Sequence, residues 1–575
     1  MKGPHMIVST QTAPEIVNHM TMPDWIVVAF WVLGTSLFGY YFSKYVKTAR
    51  DYLVAGRKLR WWQIGIAQGA DSVDAGDFIA IAGMAYLKGF TGLGYIWIGM
   101  AFGTYVLARY LAPMLYRSGV VTNAEFLELR FTRSMRLASA LIQILYRFIA
   151  MALVGYALAT MFKVVMGVDM TYGILISMCI TILYVFASGQ LGVVMAAVPQ
   201  VALMLVVSGI VFFSVFADLG GMGGFVRHLP DYGEMMHLTY YTEDGLNNSL
   251  YLWGLILVLF TYPLVNQTVA QRIVSAASES DARKGSMISL LPWFIVTGVA
   301  IMAGVVGTVL VPDLPADQRN DLYPLYMVEY LSPGILGLGV AALIVGSMST
   351  GAGIGTAISG LLANDVFGMV TNDQLTDKQK LRWTRIFATS AIVLGSLLST
   401  QVSRYGGMVP FYVTFSGTFV LPLTVPYLAA AFCPWASRHS ALAATVAGCG
   451  IGLVLFNAQD VLPVYMTQAQ CRPLWVLGAA LAVLVLWSMV ENAIKGRIPN
   501  SKFAGRFNAF DFGKPMTADE VMEMIRDDEL EDWPSRKNVL PETLGLSKST
   551  PWYARPGLYE ILTVVVMIVI MICLW

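Results

Sequence analysis

The chain has 575 residues, of which 57% are hydrophobic and only 13% charged, whereas soluble domains carry roughly 25% charged residues. Its net charge of +1 excludes the bulk basic character that a nucleic-acid partner requires. The composition is that of an integral membrane protein, long enough for more than ten spans of about 20 residues each.

"MKGPH" at the start reads as a cloning scar, and no cleavable signal peptide is expected before the first span. In chain order, apolar runs predict spans near 24–44, 62–86, 91–116, 134–165, 170–188, 190–218, 249–274, 287–311, 334–366, 382–401, 406–431, 437–457, 473–491 and 556–575. The expected fold is therefore all-α, with about 14 transmembrane helices. The five cysteines (Cys179, Cys433, Cys449, Cys471, Cys573) show no CxxC spacing, and the five histidines lie outside the apolar runs or at their ends. Neither a disulfide framework nor an intramembrane metal site of the His/Cys kind is indicated.

Loop charge sets the orientation. Lys44, Lys47, Arg50, Arg57, Lys58 and Arg60 fall in the first loop; Arg117, Arg130 and Arg133, then Arg272, Arg283 and Lys284, then Lys378, Lys380 and Arg382 fall in later loops on the same side. The alternate loops, such as "PDLPADQRNDLYP", are acidic or nearly uncharged. The basic side is read as cytoplasmic, which places both termini outside. Residues 492–555 are then a cytoplasmic linker, with a capping box at Thr517 and Glu520 opening a short amphipathic helix. The expected organisation is an extracellular N-terminus (1–23), a peripheral first span (24–44), two five-span units (62–218 and 249–431), two peripheral spans (437–491), the linker and a last span (556–575).

The stretch "GADSVDAGDF" places Asp71, Asp74 and Asp77 inside span 2. An acid at mid-bilayer costs from about 2.5 to more than 10 kcal/mol, so these three must face a watered cavity or a bound cation. Gly69 before them and Gly76 among them lower helix propensity, which predicts a broken helix with freed backbone carbonyls. A monovalent cation held by carbonyl and hydroxyl oxygens satisfies such a break. In span 9, "VGSMSTGAGIGTAISG" sets the hydroxyls of Ser349 and Thr350 side by side. In span 7, Pro263 within "FTYPLVNQ" removes a backbone donor and is expected to interrupt the helix. Breaks five spans apart are the layout of a five-helix unit repeated with inverted topology.

Four segments in order carry a resemblance: "ADSVDAGDFIAIAG", "TNAEFLELRF", "NQTVAQRIVSA" and "AALIVGSMSTGAGIGTAISGLLANDVF". Over about residues 24 to 491 the sequence resembles the sodium/solute symporter family, which includes sodium-coupled sugar, proline and sialic acid carriers. The resemblance implies a leucine-transporter-type inverted five-helix repeat with broken core helices. It also implies a sodium site made of the Ala70, Val73 and Gly346 carbonyls and the Ser349 and Thr350 hydroxyls. Such a neutral oxygen cage suits a monovalent ion better than magnesium. Where relatives that bind an additional sodium place an Asp and two Ser residues, this chain has Ala197, Ala352 and Gly353, so one sodium per cycle is expected.

The sugar pattern is broken as well. At positions where sugar carriers supply polar side chains, this sequence has Ser72, Asp77, Ile96, Ser289 and Thr414. A buried hydroxyl left unpaired costs about 1–3 kcal/mol, which disfavours a sugar. Asp74 and Asp77, with aromatic faces from Phe78, Trp97, Tyr262, Phe411 and Tyr412, point instead to an amine-bearing, cationic or zwitterionic solute. The expected substrate contacts are Ser72, Asp74, Asp77, Phe78, Tyr262 and Thr414. Arg147, deep in span 4, is a gate candidate with Asp71, and an internal pairing of the acids with Arg147 or Lys88 is the competing reading.

The expected activity is sodium-coupled symport of a small solute across the cell membrane by alternating access, performed by a monomer in the lipid bilayer. A proton-coupled or uncoupled transporter of the same fold and a solute-binding membrane sensor remain the rivals. An enzyme is disfavoured, since no nucleophile with a base in reach is readable.

Overall fold

The computed structural model describes residues 18–46, 49–228, 248–315, 318–371, 376–405, 407–495 and 556–574. The expected helix at Thr517 and Glu520 and the rest of the linker from 496 lie outside the described residues.

The described chain is helical, and its one β-type contact is an isolated parallel bridge between Leu59 and Ala276. Eleven helices among the described residues are long and apolar enough to cross a membrane. Three apolar stretches fall outside that number: the short helices Met170–Ile182 and Gly557–Val566, and the interrupted pair α2 (Trp61–Ala70) and α3 (Ala75–Lys88). A peripheral helix α1 (Met22–Tyr41) comes first, and α4 (Thr91–Val106, prolonged to Arg117) follows the interrupted pair. The short helix α5 (Asn123–Arg130) then leads into α6 (Arg133–Met166) and α7 (Met170–Asp218).

As one straight rod, the 49 residues of α7 would measure about 74 Å. Its contacts forbid that. A Cβ added to Gly346 would lie 2.5 Å from the Met204 sulfur, and one added to Gly351 would lie 2.5 Å from Thr181 Cγ2. Gly346 and Gly351 are about 7.5 Å apart along their helix, whereas Thr181 and Met204 would be about 34 Å apart along a straight one. The helical run therefore folds back, and both limbs pack on the same neighbour.

The second half opens with another interrupted pair, α8 (Asn248–Val265) and α9 (Gln267–Val274). After these come α10 (Glu279–Ile288), α11 (Leu290–Leu310), α12 (Ile335–Phe367), α13 (Asp377–Leu397) and α14 (Met408–Phe432). Three peripheral helices complete the chain: α15 (Ser440–Asn457), α16 (Arg472–Lys495) and α17 (Pro556–Leu574). The break in this half falls at Asn266, three residues beyond Pro263. Pro263 stays inside α8, because a missing N–H is tolerated where neighbouring helices pack around it. Asn266 instead leaves helical geometry, and its side-chain oxygen accepts from Thr268 N at 2.8 Å to start α9.

Two groups of helices emerge from the packing. In the first, α4 lies on α8, α3 on α11 and α2 on α10; in the second, α12 lies on α7 and α13, with α6 against α7. Close approach rests on small residues, since a Cβ on Gly99 would sit 2.5 Å from the Ile256 carbonyl oxygen. The peripheral helices choose sides. Asp24 of α1 is fully buried, and its Oδ1 accepts from Gly334 N at 2.7 Å and Gly337 N at 2.6 Å, at the start of α12. Glu560 of α17 is likewise buried, accepting from Arg283 Nε of α10 at 3.1 Å, with Arg109 of α4 at 4.0 Å.

Candidate functional site

The first break forms where helix propensity is weakest and a cap is at hand. Helix α2 ends at Asp71, and Asp74 adopts extended geometry (φ −140°, ψ −173°) as the N-cap of α3. Asp74 Oδ1 accepts from Gly76 N at 2.6 Å, while Asp77 Oδ2 accepts from Asp74 N at 3.1 Å. Two of the three acids thus cap the second half-helix and complement the positive end of its dipole. Both still line the cavity described below, so capping and solute contact share the same carboxylates.

Against this break lies the middle of α12. Ser347 Oγ accepts from Ala75 N at 3.3 Å, and Val73 O lies 3.6 Å from the position of a Cβ on Gly346. Ala70 O accepts from Val73 N at 3.4 Å, which leaves a lone pair for another partner. The Ser349 and Thr350 hydroxyls are buried without a hydrogen bond of good geometry, Thr350 having the Asp74 carboxylate as a neighbour. Ala70, Val73, Gly346, Ser349 and Thr350 are all buried in this packed zone. The buried hydroxyls of α12 and the carbonyl ends of α2 are neutral oxygens, a donor set of the kind that fits a sodium ion.

Asp71, the third acid, does not pair with Arg147. Its partner is Arg272 of α9, which is fully buried and donates from Nε to Asp71 Oδ2 at 2.8 Å, and from Nη2 to the same oxygen. Arg272 is therefore not the loop charge its place in the sequence suggests. The pair ties one broken helix to the other, and the Leu59 strand segment adds backbone bonds to Ser275 O (3.1 Å) and from Ala277 N (2.8 Å). Gly353, one of the positions read as lacking an ion ligand, sits against Asp71; a Cβ there would lie 2.9 Å from Oδ1.

A cavity of about 190 Å³ opens beside the first break. Ser72, Asp74, Asp77, Tyr262 and Tyr412 line it, together with Asp71, Arg147 and Ile96. Two of the expected substrate contacts are elsewhere. Phe78, 2% exposed, packs at a tilt on Tyr323 with ring centroids 4.8 Å apart, because one residue past Asp77 turns it about 100° around α3. Thr414 turns to α16 and accepts from Arg472 Nη2 at 3.3 Å. Trp97 donates to Thr297 Oγ1 at 2.8 Å, and Phe411 packs on Phe415. Ser289 caps its own turn, donating to Ser286 O at 2.7 Å.

Tyr146 and Trp293 line the cavity and escaped the sequence reading. Tyr146 bonds Tyr412 through their hydroxyls at 3.0 Å, and Ser72 Oγ lies 3.4 Å from the Tyr262 hydroxyl. The only signals for Tyr146 and Trp293 were their neighbours: Arg147, a charge deep in a span, and Pro292 in the next span.

The sequence profile of the sodium:solute symporter family matches residues 52–448. The chain belongs to this family. It is a multi-pass membrane transporter, and the coupling ion of its family is sodium. The sodium/glucose cotransporter of Vibrio parahaemolyticus is 23% identical over 436 residues, covering 71% of this chain and 80% of that protein. Among solved structures, a Na+-coupled sialic acid symporter in a substrate-bound outward-open state superposes with a TM-score of 0.69 at 20% identity, covering 81% of this chain and 98% of that one. Mhp1, a nucleobase-cation-symport-1 family transporter, superposes at 0.52 with 14% identity, covering 79% and 97%. These likenesses establish the leucine-transporter-type fold.

Proposed function

We propose that the protein imports a small amine-bearing, cationic or zwitterionic solute together with one sodium ion. The observation that supports the reading is the packing of α12 on the break, Ser347 accepting from Ala75 N and Gly346 lying against Val73 O, with Thr350 in the same cavity wall as Asp74 and Asp77. In this reading Ala70, Val73, Gly346, Ser349 and Thr350 hold sodium. Ser72, Asp74, Asp77 and Tyr262 meet the solute, with Tyr146, Tyr412 and Trp293 as aromatic walls. A carboxylate with aromatic faces is a favourable setting for an ammonium group.

Sodium at the break organises the start of α3, and with it the two capping acids that face the solute. Linkage then requires that the solute tighten sodium by the factor with which sodium tightens the solute. With the basic loops cytoplasmic, the membrane potential drives the charge inward at about 2.3 kcal/mol per charge per 100 mV. The group of α2, α3, α4, α8, α9, α10 and α11 moves against α6, α7, α12 and α13.

Uptake by reconstituted vesicles tests the reading: accumulation should follow an inward sodium gradient and vanish when potassium replaces sodium. Uptake that follows an acid-outside gradient without sodium overturns sodium coupling in favour of proton carriage by the Asp74 and Asp77 pair. Binding without accumulation favours the sensor instead. Asp77→Asn should weaken the solute more than sodium, and unchanged solute affinity counts against the amine.

A further inference from the structure

We infer that the solute is a zwitterion, its carboxylate taken by Arg147 and its ammonium group by Asp74 and Asp77. The inference rests on the amine reading above and adds the opposite pole.

Arg147 lines the cavity but is only 3% exposed. Its Nη1 makes a long contact to Thr268 Oγ1 at 3.4 Å, and its guanidinium lies over the Tyr146 ring, 4.5 Å from the centroid. Nε and Nη2 are buried without a hydrogen bond of good geometry, although the Tyr146 hydroxyl and the Asp71 carboxylate are close enough to act on the guanidinium. No acid among the described residues forms an ion pair with it: the candidate partner, Asp71, is bound by Arg272. A guanidinium does not give up its proton in a protein, and an unpaired buried charge is among the costliest groups a fold can carry. Nε and Nη2 form the edge that grips a carboxylate with two parallel bonds. Arg272 presents the same edge to Asp71 a short distance away.

Formal charge points the same way. Around the cavity stand the carboxylates of Asp71, Asp74 and Asp77 and the guanidiniums of Arg147 and Arg272, which one sodium ion brings to neutrality. A solute of zero net charge preserves that balance. An amine without an anionic pole leaves Arg147 only the Asp71 carboxylate that Arg272 already holds, and an acid without an amine faces two carboxylates. Between the poles the wall is apolar, with Ile81, Met100, Leu255 and Leu259, which suits an aliphatic body rather than a polyol. The class is accordingly a neutral amino acid or a betaine.

The test is thermal unfolding of the purified full chain in sodium, with a panel of neutral amino acids and betaines, each beside its decarboxylated amine and its deaminated acid. Glucose and myo-inositol serve as polyol probes. At least one zwitterion should stabilise the protein while both of its single-pole analogues fail. Arg147→Gln should then raise the concentration of that zwitterion needed for half the shift by at least about tenfold, with Arg147→Lys intermediate. Stabilisation of Arg147→Gln by sodium alone certifies that the variant is folded. If an amine acts as well as its zwitterion and Arg147→Gln changes nothing, the inference falls and the amine reading stands. If a deaminated acid or a polyol stabilises while every amine fails, both fall. Silence across the whole zwitterion panel also overturns the inference.

Discussion

Arg272 and Asp71 meet between two interrupted helices, Nε to Oδ2 at 2.8 Å, with side-chain exposures of 0% and 6%. Buried ion pairs contribute little net stability, yet losing one partner strands the other charge at a cost of about 3–5 kcal/mol. Asp71→Asn should therefore lower the thermal midpoint sharply. The double variant Asp71→Asn with Arg272→Gln should recover most of the loss, and two additive losses would show that the pair does not act as a unit.

Sodium itself should stabilise the protein in proportion to the logarithm of its concentration once binding is appreciable. Exchange of sodium for potassium should lower the thermal midpoint of the wild-type chain. Ser349→Ala with Thr350→Ala should abolish most of that difference, shifting the sodium requirement by more than tenfold, or about 1.4 kcal/mol. Its midpoint without sodium should stay near that of the wild type, since Ser349 has no hydrogen bond to lose and Thr350 only its approach to the Asp74 carboxylate.

Glu560 anchors the last span to Arg283, and the Glu560→Gln variant leaves that buried cation without its carboxylate. A loss of about 3–5 kcal/mol is expected in denaturant unfolding, largely cancelled when Arg283→Met is added. Failure of the second change to restore stability would mean that packing, not the ion pair, holds α17 in place.

Glycine substitutions should divide by sign. Gly99→Ala drives a methyl to 2.5 Å from the Ile256 carbonyl and should cost about 1–3 kcal/mol, read as a lower thermal midpoint. Gly34, in α1, has nothing within 4 Å of such a methyl, and Gly34→Ala should gain up to about 1 kcal/mol from helix propensity.

Much of the candidate site's placement was legible in the sequence because mid-membrane polarity is costly enough to leave a mark. Three acids in ten residues and two adjacent hydroxyls in another span marked the two sides that the fold brings together. What stayed hidden depends on rotation and partner choice. Phe78 and Thr414 come one position after cavity-lining residues, and one position is enough to turn a side chain away. Arg272 sits where a loop charge would, so only the packing of α9 on α2 reveals it as the partner of Asp71. The sequence points to Pro263 for the second break, as the residue that cannot donate, whereas the helix opens at Asn266, the residue able to cap α9.

The fastening of α1 by Asp24 and of α17 by Glu560 assigns the outermost spans to different bodies. Whenever those bodies shift, the first and last helices are carried past one another like handles on two jaws. Probes placed at these two extremities would report the stroke of the machine without touching its cargo.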